Sequence, residues 1–537
     1  MQVMRVPARF EKIEDIKKLF GDELVVGVGV TAFPRSGLAY ILPNYKILSL
    51  FETSDLPAIR EKCEVISVEK TLGGDQPEKF NTSGILELPE VKEFLQGYEP
   101  CNLFLYKAST VTDKIVGGYS APKQEKLESK GHSPLAAINS LRLLSTPGHI
   151  RKVFENKKSF REDALKAGLK IPKGATLRIE EVTDEKWEEF KEKFGERLVF
   201  QLTDYTIGGG LGTFFIDSKK DLEKFREFVE RRSEERILEY VNVTERIEGR
   251  QASVAGCATH YGTVACVLQN QIMDQPELAA LVGRSGVWLG QDWNVRFSEK
   301  AQLLAEEQVK KWGEYIYKKG YKGIFGLDLM VTDDDEVYVI ECNARYTGAF
   351  PVLTMTQLKN KETPIDVWHL LEWFDIEYEM DVEEVQKACR QPKKAAQLLL
   401  HNLERKFVTP TRSVKAGVYK VVLKGSGGIR PLNNNKQVGS EGHSPPAAIN
   451  GKSQGTFGVE WVREGFSLLD IKDESEFVLC DRVPTEDMVL KPAERLGRLV
   501  FSRKIVTDEG ELLDWTRGVI KAVYDQFELS LVENPEA

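Results

Sequence analysis

The sequence predicts a multidomain chain of mixed α/β and α+β class: an open α/β domain first, a two-lobed middle and an α+β domain last. Three observations predict it. The 537 residues exceed what one core usually holds, and roughly 100–200 residues per domain gives three or four lobes. A continuous apolar run, ELVVGVGVT at 23–31, has the pattern of a buried parallel strand. Two later apolar runs joined by an acidic turn, at 324–331 and 336–343, have the pattern of a β-hairpin.

Taken in order, the first region holds that run and two further strand-like runs, Tyr45 to Phe51 and Asn102 to Tyr106, separated by helix-compatible stretches. Residues 1–140 therefore read as an open α/β domain. Gly27 and Gly29 lack the third glycine of a dinucleotide fingerprint and read as a plain tight turn. Next, NKKSFREDALKAG at 156–168 reads as a helix that stops at Gly168, ahead of Pro172. Strand-like LVFQL (198–202), a glycine cluster, strand-like GTFFI, a charged helix over about 219–235 and strand-like RILEYV (236–241) follow. They outline a small α+β lobe over about 172–240. Glu299 to Lys319 has amphipathic helical spacing, and the acidic hairpin closes a middle domain spanning 141–375. Residues 376–537 form the C-terminal α+β domain, in which KGSGGIRPLNNNKQVGSEGHS (424–444) reads as an exposed or mobile loop.

Composition excludes several classes. Lys plus Arg is 74 against 83 Asp plus Glu, a net charge of −9, spread in mixed clusters such as 219–236. That is a solvated helix face, and no basic stripe interleaved with aromatics suggests a nucleic-acid partner. Seven cysteines without paired short spacing speak against a disulfide framework or a zinc site. Neither the opening MQVMRVPARFEKIEDIKKLF nor any later stretch is apolar for long enough to span a membrane, which places the protein in the cytoplasm without a membrane partner. The segment GHSPLAAIN at 131–139 returns as GHSPPAAIN at 442–450. Its flanks do not match, so it reads as a shared loop conformation, with His132 and His443 the side chains to watch.

Chemistry concentrates in GLDLMVTDDDEVYVIECNAR, which carries Asp328 on one strand and Glu341, Asn343 and Arg345 on and just past the next. Residues two apart share a strand face, so the last three point together, and Asp328 meets them if the turn sets that register. Oxygen donors of this kind suit a hard divalent cation, and an adjacent arginine can hold a phosphoryl or carboxylate oxygen. About 120 residues earlier, Gly208, Gly209, Gly210 and Gly212 lie between two apolar strands, where backbone N–H groups can close over phosphate.

This order of parts resembles the ATP-grasp superfamily: a helix opening on Asn-Lys, a Gly-rich hairpin, a strand ending in Glu with an apolar linker, and D…E-x-N-x-R. The resemblance spans about 150–350 and makes the preceding region a pre-ATP-grasp domain. It implies that Asp328, Glu341 and Asn343 bind two magnesium ions, with manganese as a substitute, and that Arg345 and Asn343 act in catalysis. It implies ATP contacts from Lys157, or Lys158 one residue on, from the Gly208–Gly212 lid, and from Glu239, Tyr240 and Val241 as the adenine-binding hinge. Gln251 falls where relatives often carry a glutamate near the ribose. One departure stands out: the strand before the glycines ends in Gln201, where many relatives have lysine, and an amide brings no charge to a phosphate. Arg284 or a lysine would have to compensate.

The resemblance implies an ADP-forming ligase that turns a carboxylate into an acyl phosphate for attack by an amine or amino acid, with small-molecule substrates and a homodimeric assembly. RYTGAFPVLTMTQL, after the motif, would help line the acceptor side. Two other readings are a biotin-carboxylase-like enzyme acting on bicarbonate, and an ATP-binding protein that has lost turnover, for which Gln201 argues.

Overall fold

The computed structural model describes residues 3–73, 77, 80–98, 100–116, 141–203, 212–233, 237–280, 286–425, 428–431, 456–486 and 488–533. Both copies of the GHSPxAAIN segment, Arg284 and Gly208–Gly210 lie outside them.

The N-terminal region is a parallel sheet of β1 (Val25–Gly29), β2 (Tyr45–Ser49), β3 (Glu64–Ser67), β4 (Cys101–Leu105) and β5 (Leu141–Leu143). Its spatial order is β3-β2-β1-β4-β5. β1 is buried along its whole length, which explains its unbroken apolar character. Gly27 and Gly29 are not a turn, as the sequence suggested, but strand residues. A Cβ on Gly27 would lie 2.1 Å from the Tyr45 hydroxyl, and one on Gly29 would lie 1.9 Å from the Arg35 guanidinium carbon. The glycines make room for two large side chains laid over the strand.

Helices α1 (Gly148–Glu155) and α2 (Lys157–Lys166) follow. Asn156 caps α2 by accepting from the backbone N–H of Lys158 (3.0 Å) and Ser159 (3.1 Å). Gly168, at φ +71°, takes the left-handed conformation that ends a helix.

A small four-stranded antiparallel sheet is built from β6 (Gly174–Arg178), β7 (Leu198–Leu202), β8 (Thr213–Ile216) and β9 (Tyr240–Glu245), in the order β6-β9-β7-β8. Helices α3 (Asp184–Phe194) and α4 (Lys219–Ser233) pack on it through Trp187, Phe190, Leu222 and Phe225. The strand expected at 236–241 begins only at Tyr240 and runs on to Glu245. Its polar end is strand because Asn242, Thr244 and Glu245 pair with β7, although the sequence there loses its apolar run.

The largest sheet has twelve strands: β10 (Arg250–Thr259), β11 (Gly262–Ala265), β12 (Gln269–Met273), β13 (Trp288–Asp292), β14 (Gly323–Val331), β15 (Val337–Asn343), β16 (Ala396–His401), β17 (Gly417–Gly425), β18 (Gly428–Pro431), β19 (Thr456–Arg463), β20 (Glu476–Cys480) and β21 (Arg495–Phe501). Its path is β15-β14-β10-β12-β13-β16-β21-β20-β17-β18, with β11 on β10 and β19 on β17. Strands from before and after residue 375 thus share one sheet through the β13–β16 ladder. Helix α5 (Glu299–Tyr317), capped by Ser298, packs on β10, β11 and β15 and buries Trp312, whose indole N–H donates to Cys342 Sγ on β15 at 3.1 Å. Helix α6 (Phe350–Lys359) is buried over nearly its whole surface, and α7 (Asp514–Phe527) packs beside β19. Part of the stretch read as a loop is β18, paired with β17. All seven cysteines are free. Among the described residues no helix is long and apolar enough to cross a membrane.

Candidate active site

The acidic hairpin of β14 and β15 turns through Asp333–Asp335. Thr332 and Glu336 close it (Thr332 N–H to Glu336 O, 3.0 Å), and Asp335 sits at φ +64°, the left-handed position of a three-residue hairpin loop. From there the ladder runs regularly to Leu329 opposite Val339, then shifts so that Asp328 faces Glu341. Ile340 is the extra residue. Val337 and Val339 point into the core before this bulge, and Cys342 and Ala344 do so after it. The bulge therefore reverses the inward–outward alternation and delivers Glu341 and Asn343 to the cavity face.

On that face the predicted group converges. Asn343 Nδ2 donates to Asp328 Oδ2 at 2.9 Å, Arg345 Nη2 to Asn343 Oδ1 at 2.8 Å, and Gln271 Nε2 to Asp328 Oδ1 at 2.7 Å. Lys157 Nζ, from the first turn of α2, forms an ion pair with Glu341 at 3.4 Å. Burial, and then the facing Glu341, push the Asp328 carboxyl up to about 7. Burial opposes ionisation of Glu341 too, but Lys157 and Asp328 hold its carboxyl below the usual range. Two carboxylates held face to face with an amide oxygen beside them are a donor set that a hard divalent cation would relieve. Among the described residues no group of three or more His, Cys, Asp or Glu is placed to hold a metal ion by itself.

These residues line a cavity of about 740 Å³ between the small sheet and the large one. The small sheet supplies Val199, Gln201, Thr203, Phe215, Asn242 and Thr244, and the large one Gln251, Gln271, Asp328, Met330, Glu341 and Asn343. Gln201 lies directly opposite Asn242 across β7 and β9, so this wall presents neutral amides. Cations reach the cavity from elsewhere: Lys157 and Arg161 on α2, Arg151 on α1, Arg246 after β9, and Lys107.

Of the sequence-predicted residues, the cavity brings together Lys157, Gln201, Gly212, Gln251, Asp328, Glu341, Asn343 and Arg345. Lys158 instead lies over the Tyr240 ring, 3.4 Å from its centre. Glu239, Tyr240 and Val241 do not line the cavity, and Val241 is buried in the core of the small sheet. The segment that does line it between the two sheets is Thr244 to Gly249.

Sequence reasoning also missed Glu155 and Arg151. Glu155 forms ion pairs with Arg345 Nε at 2.9 Å and with Arg151 on the neighbouring turn of α1. Nothing in the spacing of α1 distinguishes them from an ordinary helical i,i+4 pair. Past Arg345 the chain is fixed by Gly348, whose carbonyl accepts from Gln397 Nε2 (3.0 Å) and Arg498 Nη1 (3.0 Å). The Trp288 ring packs against the same glycine, and a Cβ there would lie 2.4 Å from it.

Residues 156–349 match the family model described as an ATP-grasp domain. No curated protein matches the chain. Among solved structures, the biotin carboxylase–β,γ-ATP complex from Campylobacter jejuni aligns over 95% of this chain and 92% of its own, at 11% identity and a TM-score of 0.55, a likeness of fold. Phosphoribosylamine–glycine ligase from Thermotoga maritima covers 94% of this chain and 97% of its own at 13% identity and a TM-score of 0.49. The ATP-complexed carboxyaminoimidazole ribonucleotide synthase from Aspergillus clavatus covers 94% and 99%, at 11% and 0.49.

Proposed function

With residues 156–349 forming an ATP-grasp domain, we propose that this chain is an ATP- and magnesium-dependent, ADP-forming ligase that activates a carboxylate as an acyl phosphate for an amine or amino acid. The observation that carries this reading is the convergence of Asp328, Glu341, Asn343, Arg345 and Lys157 on one cavity face. In this reading, ATP supplies the phosphoryl group and magnesium offsets the negative charge of its phosphates. Asp328, Glu341 and Asn343 hold the metal, and Lys157 turns from Glu341 to the phosphates. Arg345, steadied by Glu155 and Asn343, would hold the phosphoryl group in transfer, or the oxyanion that forms when the amine attacks the acyl phosphate and phosphate leaves. Glu239, Tyr240 and Val241 form the adenine-binding hinge at the start of β9, with Gln251 near the ribose, and Thr244–Gly249 lines the cavity beside them. Because acyl-phosphate chemistry needs positioning and charge neutralisation rather than an enzyme nucleophile, a site of carboxylates, amides and cations is sufficient.

The test is magnesium-dependent ADP release by the full chain against pooled carboxylates with amines or amino acids, and separately against bicarbonate. We expect release that requires both a carboxylate and an amine, falling about a hundredfold or more in Glu341→Gln. Dependence on bicarbonate alone would move the assignment to a carboxylase-like enzyme. Magnesium·ATP binding with no pool raising ADP above the variant's level would point to a binding protein instead.

A further inference from the structure

The N-terminal sheet has a topological switch point. β1 is its centre, the chain leaves it towards β2 and β3, and returns to its other side for β4 and β5. All neighbours run parallel, so the crevice outside the carboxyl ends of β1 and β4 is where an open α/β sheet places a ligand. Protein already fills the β1 side. Arg35 Nε donates to Val28 O at 2.6 Å, its guanidinium carbon sits 4.9 Å from the centre of the Tyr106 ring, and Thr31 donates to Asp481 at 2.9 Å. The β4 side is different. Tyr106 stacks on Tyr346, with centroids 4.9 Å apart, and the next residue, Lys107, opens into the same cavity as Arg345.

Lys107 is exposed to that cavity, and among the described residues no ion pair or hydrogen bond takes up its ammonium. Its charged neighbours are Arg345, Glu155 and Arg151. Glu155 is the only acid of the three and is already matched by both arginines, so the positive charge of Lys107 is surplus to the protein. From Asp328 the polar groups run through Asn343 to Arg345, and Lys107 lies beside the end of that run, on the wall supplied by the N-terminal sheet.

We infer that Lys107 is a binding residue for an oxyanion of the substrate other than the carboxyl being activated, so that the substrate carries a second carboxylate or a phosphate. This rests on the reading that the reacting carboxyl sits at Arg345. A lysine ammonium suits the role because it offers three donors as a point charge without imposing a bidentate geometry.

The test is calorimetric titration of the full chain, nucleotide-free and with saturating Mg·ADP, at ionic strength balanced with NaCl. Malonate is the titrant in one arm and inorganic phosphate in the other. Wild type should bind one of them saturably, malonate indicating a second carboxylate and phosphate a phosphorylated substrate. Lys107→Gln should weaken that binding about ten- to a hundredfold, the loss of one charge-assisted hydrogen bond, while Lys107→Arg keeps it and Mg·ADP affinity stays within about twofold. Equal anion binding by wild type and Lys107→Gln, or no saturable binding by wild type, overturns the inference. A parallel loss of Mg·ADP affinity also overturns it, by placing Lys107 in the nucleotide site. Wild type that binds the anion but not Mg·ADP would refute the nucleotide reading instead, so the two failures are distinguishable.

Discussion

At the scale of single residues, the buried charges outside the cavity set how stability follows pH. Asp55 is 1% exposed. Its Oδ2 accepts from the Asp481 backbone N–H at 3.2 Å, its Oδ1 has no partner, and burial pushes its carboxyl up to about 6 from 3.8. The folded protein therefore holds a proton there that the unfolded chain releases. The contribution is fully present below about pH 4 and is lost as pH climbs through 6. Asp55→Asn keeps an acceptor and removes the titration. It should raise stability at pH 7.5 by about 2–3 kcal/mol and narrow the difference in Tm between pH 5 and 7.5. An unchanged difference would assign the pH response to other carboxyls, such as Asp366, also raised to about 6 by burial.

At the scale of elements, the strands and helices that hold the site were legible where local chemistry decides them. Asn156 and Gly168 bracket α2 as capping rules require, and the acidic hairpin turns at the TDDD run that marks it. What escaped was set by contacts distant in sequence. Gly27 and Gly29 look like a turn until Tyr45 and Arg35 are seen lying over them. The bulge at Ile340, which carries Glu341 to the cavity face, leaves no mark in composition, since Ile340 would suit either side of a strand. β9 likewise runs on past its apolar stretch through polar residues that only its partner strands hold in place. A similar demand appears at Gly290 in β13, where a Cβ would lie 2.1 Å from Gln397 O on β16. Gly290→Ala must push these strands apart and should cost about 2–3 kcal/mol in urea unfolding. A cost below about 0.5 kcal/mol, the level of a neutral surface change, would show that this ladder tolerates separation.

At the scale of the whole molecule, the twelve-stranded sheet is the feature composition could not announce. The expected boundary at residue 375 follows the end of a run of apolar helices, yet β13 and β16 pair across it, Gln291 opposite Gln397. A chain ended after Asp375 would uncover the edge of β13, including the fully buried Leu289, and such an edge invites intermolecular pairing. We expect that truncation to be insoluble or aggregated by light scattering, and a soluble, monomeric product with native circular dichroism would show that the N-terminal part does not depend on the shared ladder. The seam has an optical consequence as well. Trp288 stands at the start of β13 with its ring against Gly348, and its indole N–H is buried without an acceptor. Indole emission responds to the polarity around the ring, so movement of the loop that carries Arg345 would register as a spectral shift, and the chain contains its own label for watching ligands arrive.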